Sequence, residues 1–221
     1  MLEHLLQFDL AAYPLIAIPV WYIRSWPVSI QALCLTLVVI GLIPISRYRR
    51  SRGRARKARH QRFIKRSHTA LSALAGIDHW QGRLAKIRSL HPTTFEEMLL
   101  SCLQVDGYAV LRNPKYTGDG GIDGRFYLPS GQMVLIQAKR YRGSVNTAHI
   151  RGFTSLCRQA GMPGLFIHTG KTPKAAWDTG SSSVSIISGQ RLIEFLAHPS
   201  TVIARLDADG RLVAPGAVTG A

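Results

Sequence analysis

Beyond Pro92 the apolar positions Phe95, Met98, Leu99, Cys102 and Leu103 recur every three or four residues, which predicts a helix that Gly107 ends. The period then shortens. Segments 108–112, 122–128 and Met133–Lys139 read as strands, separated by the Gly-rich loop GDGGID and the turn PSGQ. A helix over Thr147–Ala160, a buried strand over 164–169, a second over Val184–Ile187 and a closing helix over 190–197 come next. Helix, three strands, helix, strand is the order of an α/β sandwich in which helices cover a mixed sheet. Upstream, Leu71, Leu74 and Ala75, then Leu84, Ile87 and Leu90, keep helical spacing around Gly76 and Gly82, so residues 67–91 read as a helical connector. Residues 198–221, around Asp207 to Gly210, read as a small hairpin or a frayed tail.

Nearer the start the pattern loses its polar face. Residues 27–46, PVSIQALCLTLVVIGLIPIS, carry no charge, and at about 1.5 Å per residue a helix of that length covers a hydrocarbon layer of roughly 30 Å. A membrane span is the expectation there. Residues 10–23 are apolar too but short, with Pro14 and Pro19 inside them. Extended to Trp26, with Arg24 snorkelling and Trp21, Tyr22 and Trp26 at the interface, they would make a first span over residues 10–26, so one span and two remain open. Glu3 and Asp9 at the start, and no small-residue cleavage site, speak against a cleaved leader.

Charge changes the picture further. Of a net +16, residues 47–66 supply eleven Lys or Arg and no acid, while residues 90–221 hold thirteen bases against nine acids. Such a balance excludes an acidic protein and favours a polyanionic partner, and the 46% apolar content excludes a disordered polar chain. The juxtamembrane arm, residues 47–66, is read first as a topogenic flank in contact with anionic membrane lipid, because its aromatics, Tyr48 and Phe63, do not recur among its bases as a base-stacking platform would require. Phosphate contacts to nucleic acid are the competing explanation. That flank would hold the rest of the chain on the cytoplasmic side of the cell inner membrane. Cys34, Cys102 and Cys157 lie too far apart for a disulfide framework or a zinc spacing and read as reduced, buried thiols.

The candidate chemistry lies in the hairpin. Asp123 opens one strand and Gln137 and Lys139 close the next, and residues two apart on a strand share a face, so Gln137 and Lys139 project together opposite the carboxylate. A carboxylate and an amide oxygen can hold a hard divalent cation, and a lysine beside them can stabilise a phosphoryl transition state or orient water. Mg²⁺ is the expected cofactor, with Mn²⁺ able to substitute.

The ordered set FEEMLLSCLQVDGY, GDGGIDG, VLIQAKRYRG and GLFIHTG resembles the catalytic domain of Mrr-type restriction endonucleases, a D-QxK variant of the PD-(D/E)xK nuclease superfamily, over about residues 92–197. The resemblance implies a restriction-endonuclease-like fold, a metal-dependent deoxyribonuclease of type IV restriction character, Asp123, Gln137 and Lys139 as its active core, Asp123 and Gln137 as metal ligands, and Glu96 as an accessory acid. Gln137 stands where most superfamily members carry an acid, which removes a negative charge and should weaken metal binding. Arg140, Tyr141 and Arg142 are expected on the DNA backbone.

Plainer roles compete. Thr93 with Glu96, or Thr94 with Glu97, fits a capping box; Asp119 fits turn chemistry; His168 fits a satisfied strand histidine. The sequence leaves three functions open: a membrane-anchored endonuclease restricting foreign or modified DNA, a non-catalytic DNA or lipid tether on a nuclease scaffold, and a structure-selective nuclease for junctions or ends. Cutting both strands with one site per chain would call for a homodimer.

Overall fold

A computed structural model describes residues 27–113, 121–179 and 183–212, with the side chains of 39–41, 43–47, 49, 50, 52, 178 and 179 left undescribed. The chain divides into two compact units, Met1–Ala58 and Arg59–Ala221.

Helix α1, Val28–Ala75, is 48 residues long and runs through both the charge-free stretch and the basic arm without a break. In the first unit Val28, Leu33, Leu35, Leu37 and Leu42 of this helix are exposed. Among the described residues no helix is long and apolar enough to cross a membrane. The expected span over 27–46 is left unsupported, with the side chains of 39–41 and 43–46 outside the described residues. Those residues open a longer helix whose later turns carry the bases. The expected span over 10–26 lies outside the described residues. Cys34, read as buried, is exposed, whereas Cys102 and Cys157 are buried thiols whose pKa burial pushes up to about 12.

In the second unit the last turns of α1 are followed by α2 (Trp80–Ser89) and α3 (Pro92–Val105), then strands β1 (Val110–Arg112), β2 (Gly124–Tyr127) and β3 (Met133–Lys139). Helix α4 (Thr147–Ala160), strand β4 (Gly164–His168), the short α5 (Lys174–Thr179), strand β5 (Val184–Ile187), and helices α6 (Gly189–Ala197) and α7 (Pro199–Ala208) complete it. The sheet order is β1-β2-β3-β4-β5, antiparallel up to β3 and parallel from β3 to β5. This is the mixed, helix-flanked sheet that the hydrophobic pattern predicts, with strand and helix limits within two residues.

Alternation along β3 sorts the core into two layers. Val134, Ile136 and Ala138 face a large cluster with Phe95, Met98, Leu99 and Leu103 of α3, Leu84 and Ile87 of α2, and Leu192 and Phe195 of α6. Leu135 faces a smaller cluster with Ile150, Phe153 and Cys157 of α4 and with Phe166 of β4. Gly124 belongs to the first layer, where a Cβ would stand 2.5 Å from Leu100 Cδ2, so only glycine lets α3 approach β2 this closely. Residues 67–91 do more than connect, since Ala70, Leu74, Leu84 and Ile87 are core residues. The tail forms neither a hairpin nor a frayed end over its described part. Pro199 opens α7 at its first turn, and Val202, Ile203, Leu206 and Leu212 are buried in the same layer.

One buried charge is fully engaged. Glu97 accepts from Arg112 Nε at 2.9 Å and lies 3.4 Å from His60 Nδ1, while Arg112 also donates to Gln104 and Ser101. Ser101 and Ser67 share a hydrogen bond of 2.9 Å, so polar contacts fasten the end of α1 to α3 and α3 to β1. The capping-box expectation is not realised, because His91 is the N-cap of α3 and its Nδ1 accepts from Thr93 N–H.

Candidate active site

Because Gly124 pairs with Ile136, the residue before the one stands opposite the residue after the other, and Asp123 meets Gln137. The Asp123 backbone N–H donates to Ile136 O at 2.8 Å and its Oδ2 accepts from Ala138 N–H at 2.7 Å. The carboxylate is thereby clamped across β3, half-buried, on the face that α4 covers. A carboxylate bonded to a backbone amide keeps its orientation without neutralising its charge.

Gln137 is 6% exposed, which obliges its carboxamide to find partners. Its Nε2 donates to Gly121 O at 2.6 Å, and its Oε1 is buried with no hydrogen-bond partner among the described residues. Gly121 is essential to this arrangement: its φ is +89°, and a Cβ there would lie 2.6 Å from Gln137 Nε2. Asn113 donates to Ile122 O and accepts from Arg125 Nη1 at 2.9 Å, bracing the same turn from β1 and β2. Lys139 ends β3 on the Gln137 face, half-buried, and pairs in register with His168 of β4.

An orphaned buried oxygen beside a clamped carboxylate fits a hard divalent cation, which seeks oxygen donors of just this kind. Among the described residues no group of three His, Cys, Asp or Glu could hold a metal, so any ion here depends on the amide as well as the acid. With no negative charge at position 137, the orphaned oxygen would be the weaker of the two donors to such a cation.

The remaining candidates have surroundings of their own. Glu96 is half-buried on α3, whose apolar residues pack on the Ile136 side of the sheet. Its neighbour Glu97 takes the ion pair with Arg112. Arg140 and Arg142 are exposed, and Arg140 Nη1 donates to Arg88 O at 2.7 Å. Tyr141 is held by Thr169, whose hydroxyl accepts from Tyr141 N–H and donates to Tyr141 O, and its phenol meets His149 Nδ1. Asp119 lies outside the described residues.

His168 is fully buried, its Nδ1 accepting from Gly170 N–H at 3.1 Å and its Nε2 sharing a bond with Thr172 Oγ1 at 3.2 Å. Burial lowers its pKa to about 4, so it is neutral at pH 7 and serves as a structural strand residue. Thr169 and Asn113 are the positioning residues that periodicity misses; Thr in the TG end of the fourth strand was the visible signal for the first.

No curated protein matches the chain. A family model of the Mrr catalytic type, described as restriction endonuclease, matches residues 87–196, which span α3, all five strands and most of α6. Residues 87–196 are thus similar to a restriction endonuclease catalytic domain of Mrr type.

Proposed function

We propose that this protein is a divalent-metal-dependent DNA endonuclease that hydrolyses phosphodiester bonds, with Asp123 and Gln137 as metal ligands and Lys139 as the charged group beside the phosphate. The single observation that carries this reading is Gln137 Oε1, buried and unpartnered, next to a carboxylate clamped by Ala138 N–H. Burying an acceptor with no partner costs about 1–3 kcal/mol, and a cation bound there would remove that cost. Mg²⁺ is the ion we assign, with Mn²⁺ able to substitute; when bound it would supply charge neutralisation at the phosphoryl oxygens.

The chain's own residues do the rest. Lys139 projects on the Gln137 face and offers a positive charge where negative charge grows during hydrolysis. Gly121 O fixes the amide so that Oε1, not Nε2, is presented. Arg140, Tyr141 and Arg142 follow the active strand and are suited to hold the DNA backbone, which positions the scissile bond without reading sequence. Restriction of foreign or modified DNA, as in type IV systems, is the role we propose for the activity.

The test is cleavage of methylated and unmethylated plasmid by the full chain with and without Mg²⁺. Nicking or linearisation that EDTA stops and that Asp123→Ala and Lys139→Ala abolish is expected. Metal-independent cleavage, or full activity in both variants, would refute the assignment.

A further inference from the structure

A cavity opens at the carboxyl end of the parallel strands. Lys139 pairs with His168 and Ile167 with Ile187, so Lys139, the turn after β4 and the start of α6 lie along one edge of the sheet. With strands about 4.8 Å apart, two strand steps of roughly 10 Å separate the lysine's strand from Ser188. Crevices at this end of parallel strands are where open α/β sheets take ligands.

The cavity is about 510 Å³, and its wall includes Trp80, Arg88, Lys171, Thr172, Trp177 and Ser188. It lies where the two helical layers meet, since Leu84 of α2 belongs to one core cluster and Ala176 of α5 to the other. Both tryptophans keep surface in water, at 37% and 44% exposure. None of the described lining residues is acidic. Arg88 is held by two bonds to Thr169 O, and the backbone of Lys171 is tied to Gly143 and Val145, so both cations have fixed bases. On the floor, Thr172 Oγ1 lies 2.7 Å from Ser188 Oγ and supplies polar contacts.

We propose that this cavity is a nucleotide subsite that takes one unstacked nucleotide of the DNA strand, its base against Trp80 and Trp177 and its phosphate toward Lys171 and Arg88. The proposal rests on the DNA-cleaving reading above and adds a substrate preference: DNA with an unpaired or easily extruded base near the cut. Aromatic faces accept any base, while fixed cations hold the backbone, which is the chemistry of sequence-tolerant single-strand contacts. The size falls within the range of about 300–1,000 Å³ common for ligand clefts.

The full chain, kept in EDTA to prevent cutting, is titrated with a paired duplex and with the same duplex carrying a one-nucleotide 2-aminopurine bulge. Binding of the bulged duplex about tenfold tighter, with quenching of the probe, is expected. Trp80→Ala and Trp177→Ala should each erase the preference while paired-duplex affinity stays, and Trp→Phe at either place should restore most of it. If an alanine variant fails to fold, the exposed Lys171→Ala carries the test and should lower bulge affinity and its salt dependence. A wild type that binds and cuts paired DNA without any bulge preference, or tryptophan variants that keep the preference, would overturn the subsite alone. A wild type that neither binds nor cuts any DNA would remove the nuclease reading, and the subsite with it.

Discussion

The two faces of the central sheet differ in one respect that decides what each is for. On the face carrying Val134, Ile136 and Ala138 the central positions are apolar and covered by α2, α3, α6 and α7. On the other face Leu135 and Phe166 are covered by α4, but toward the strand ends apolar side chains give way to Asp123, Gln137 and Lys139. Same strands and same alternation thus serve two ends: one face lowers free energy by excluding water, and the other gives up some of that gain to a polar cluster. A buried acceptor without a partner is tolerated only because the opposite face supplies the stability.

This contrast can be tested by exchanging roles between the faces. Asp123→Ala should leave the thermal midpoint nearly unchanged and reduce DNA cleavage by about 10³-fold or more, as measured by plasmid linearisation. Ile136→Ala, one residue from the active amide but on the closed face, should do the reverse. It should cost about 2–5 kcal/mol in urea unfolding while the folded fraction keeps its activity. A strong catalytic loss in folded Ile136→Ala would mean that the faces are not independent.

His168 offers a pH reading of the same boundary. Its folded pKa of about 4 lies below the ordinary 6.5, so the unfolded chain binds the extra proton first and stability falls as pH drops from about 6.5 to about 4. That lowering corresponds to about 3 kcal/mol, lost over that window and largely absent in His168→Gln. Equal acid sensitivity in both proteins would assign the loss to other groups.

Gly121→Ala should act through Gln137. Forcing a Cβ against Nε2 at a residue with positive φ displaces the amide, and a shift of about 1 Å is expected to reduce kcat by about 10²-fold with a smaller change in KM. Smallest is Gln137→Glu. The restored charge should tighten Mn²⁺ binding by about tenfold in calorimetry, yet lower the melting temperature in EDTA, because the new carboxylate would face Gly121 O. A higher melting temperature without metal would show that the bond from Nε2 to Gly121 O contributes nothing.

Regular elements were legible because their signals are local. The three- and four-residue spacing of α3 and the alternation of β3 arise from backbone geometry alone, and they set which residues can share a face. Asp123, Gln137 and Lys139 were legible for the same reason, as the hairpin turn fixes the register between β2 and β3.

Tertiary structure alone decided the destination of each polar and apolar surface. The fate of residues 27–46 illustrates it: a charge-free run has the composition of a span, but its own residues do not say whether the helix stops at their end or carries on through the basic arm, as α1 does. Likewise the residues after 197 carry no strong period, yet they bury Val202, Ile203 and Leu206 because α7 packs against α3 and α6. Gly121 O as the partner of Gln137, Thr169 as the brace of Tyr141, and the meeting of Trp80 with Trp177 at one cavity join residues from 16 to almost 100 positions apart. Hydrogen bonds and stacking act over a few ångströms, so only the folded register could bring those groups within range.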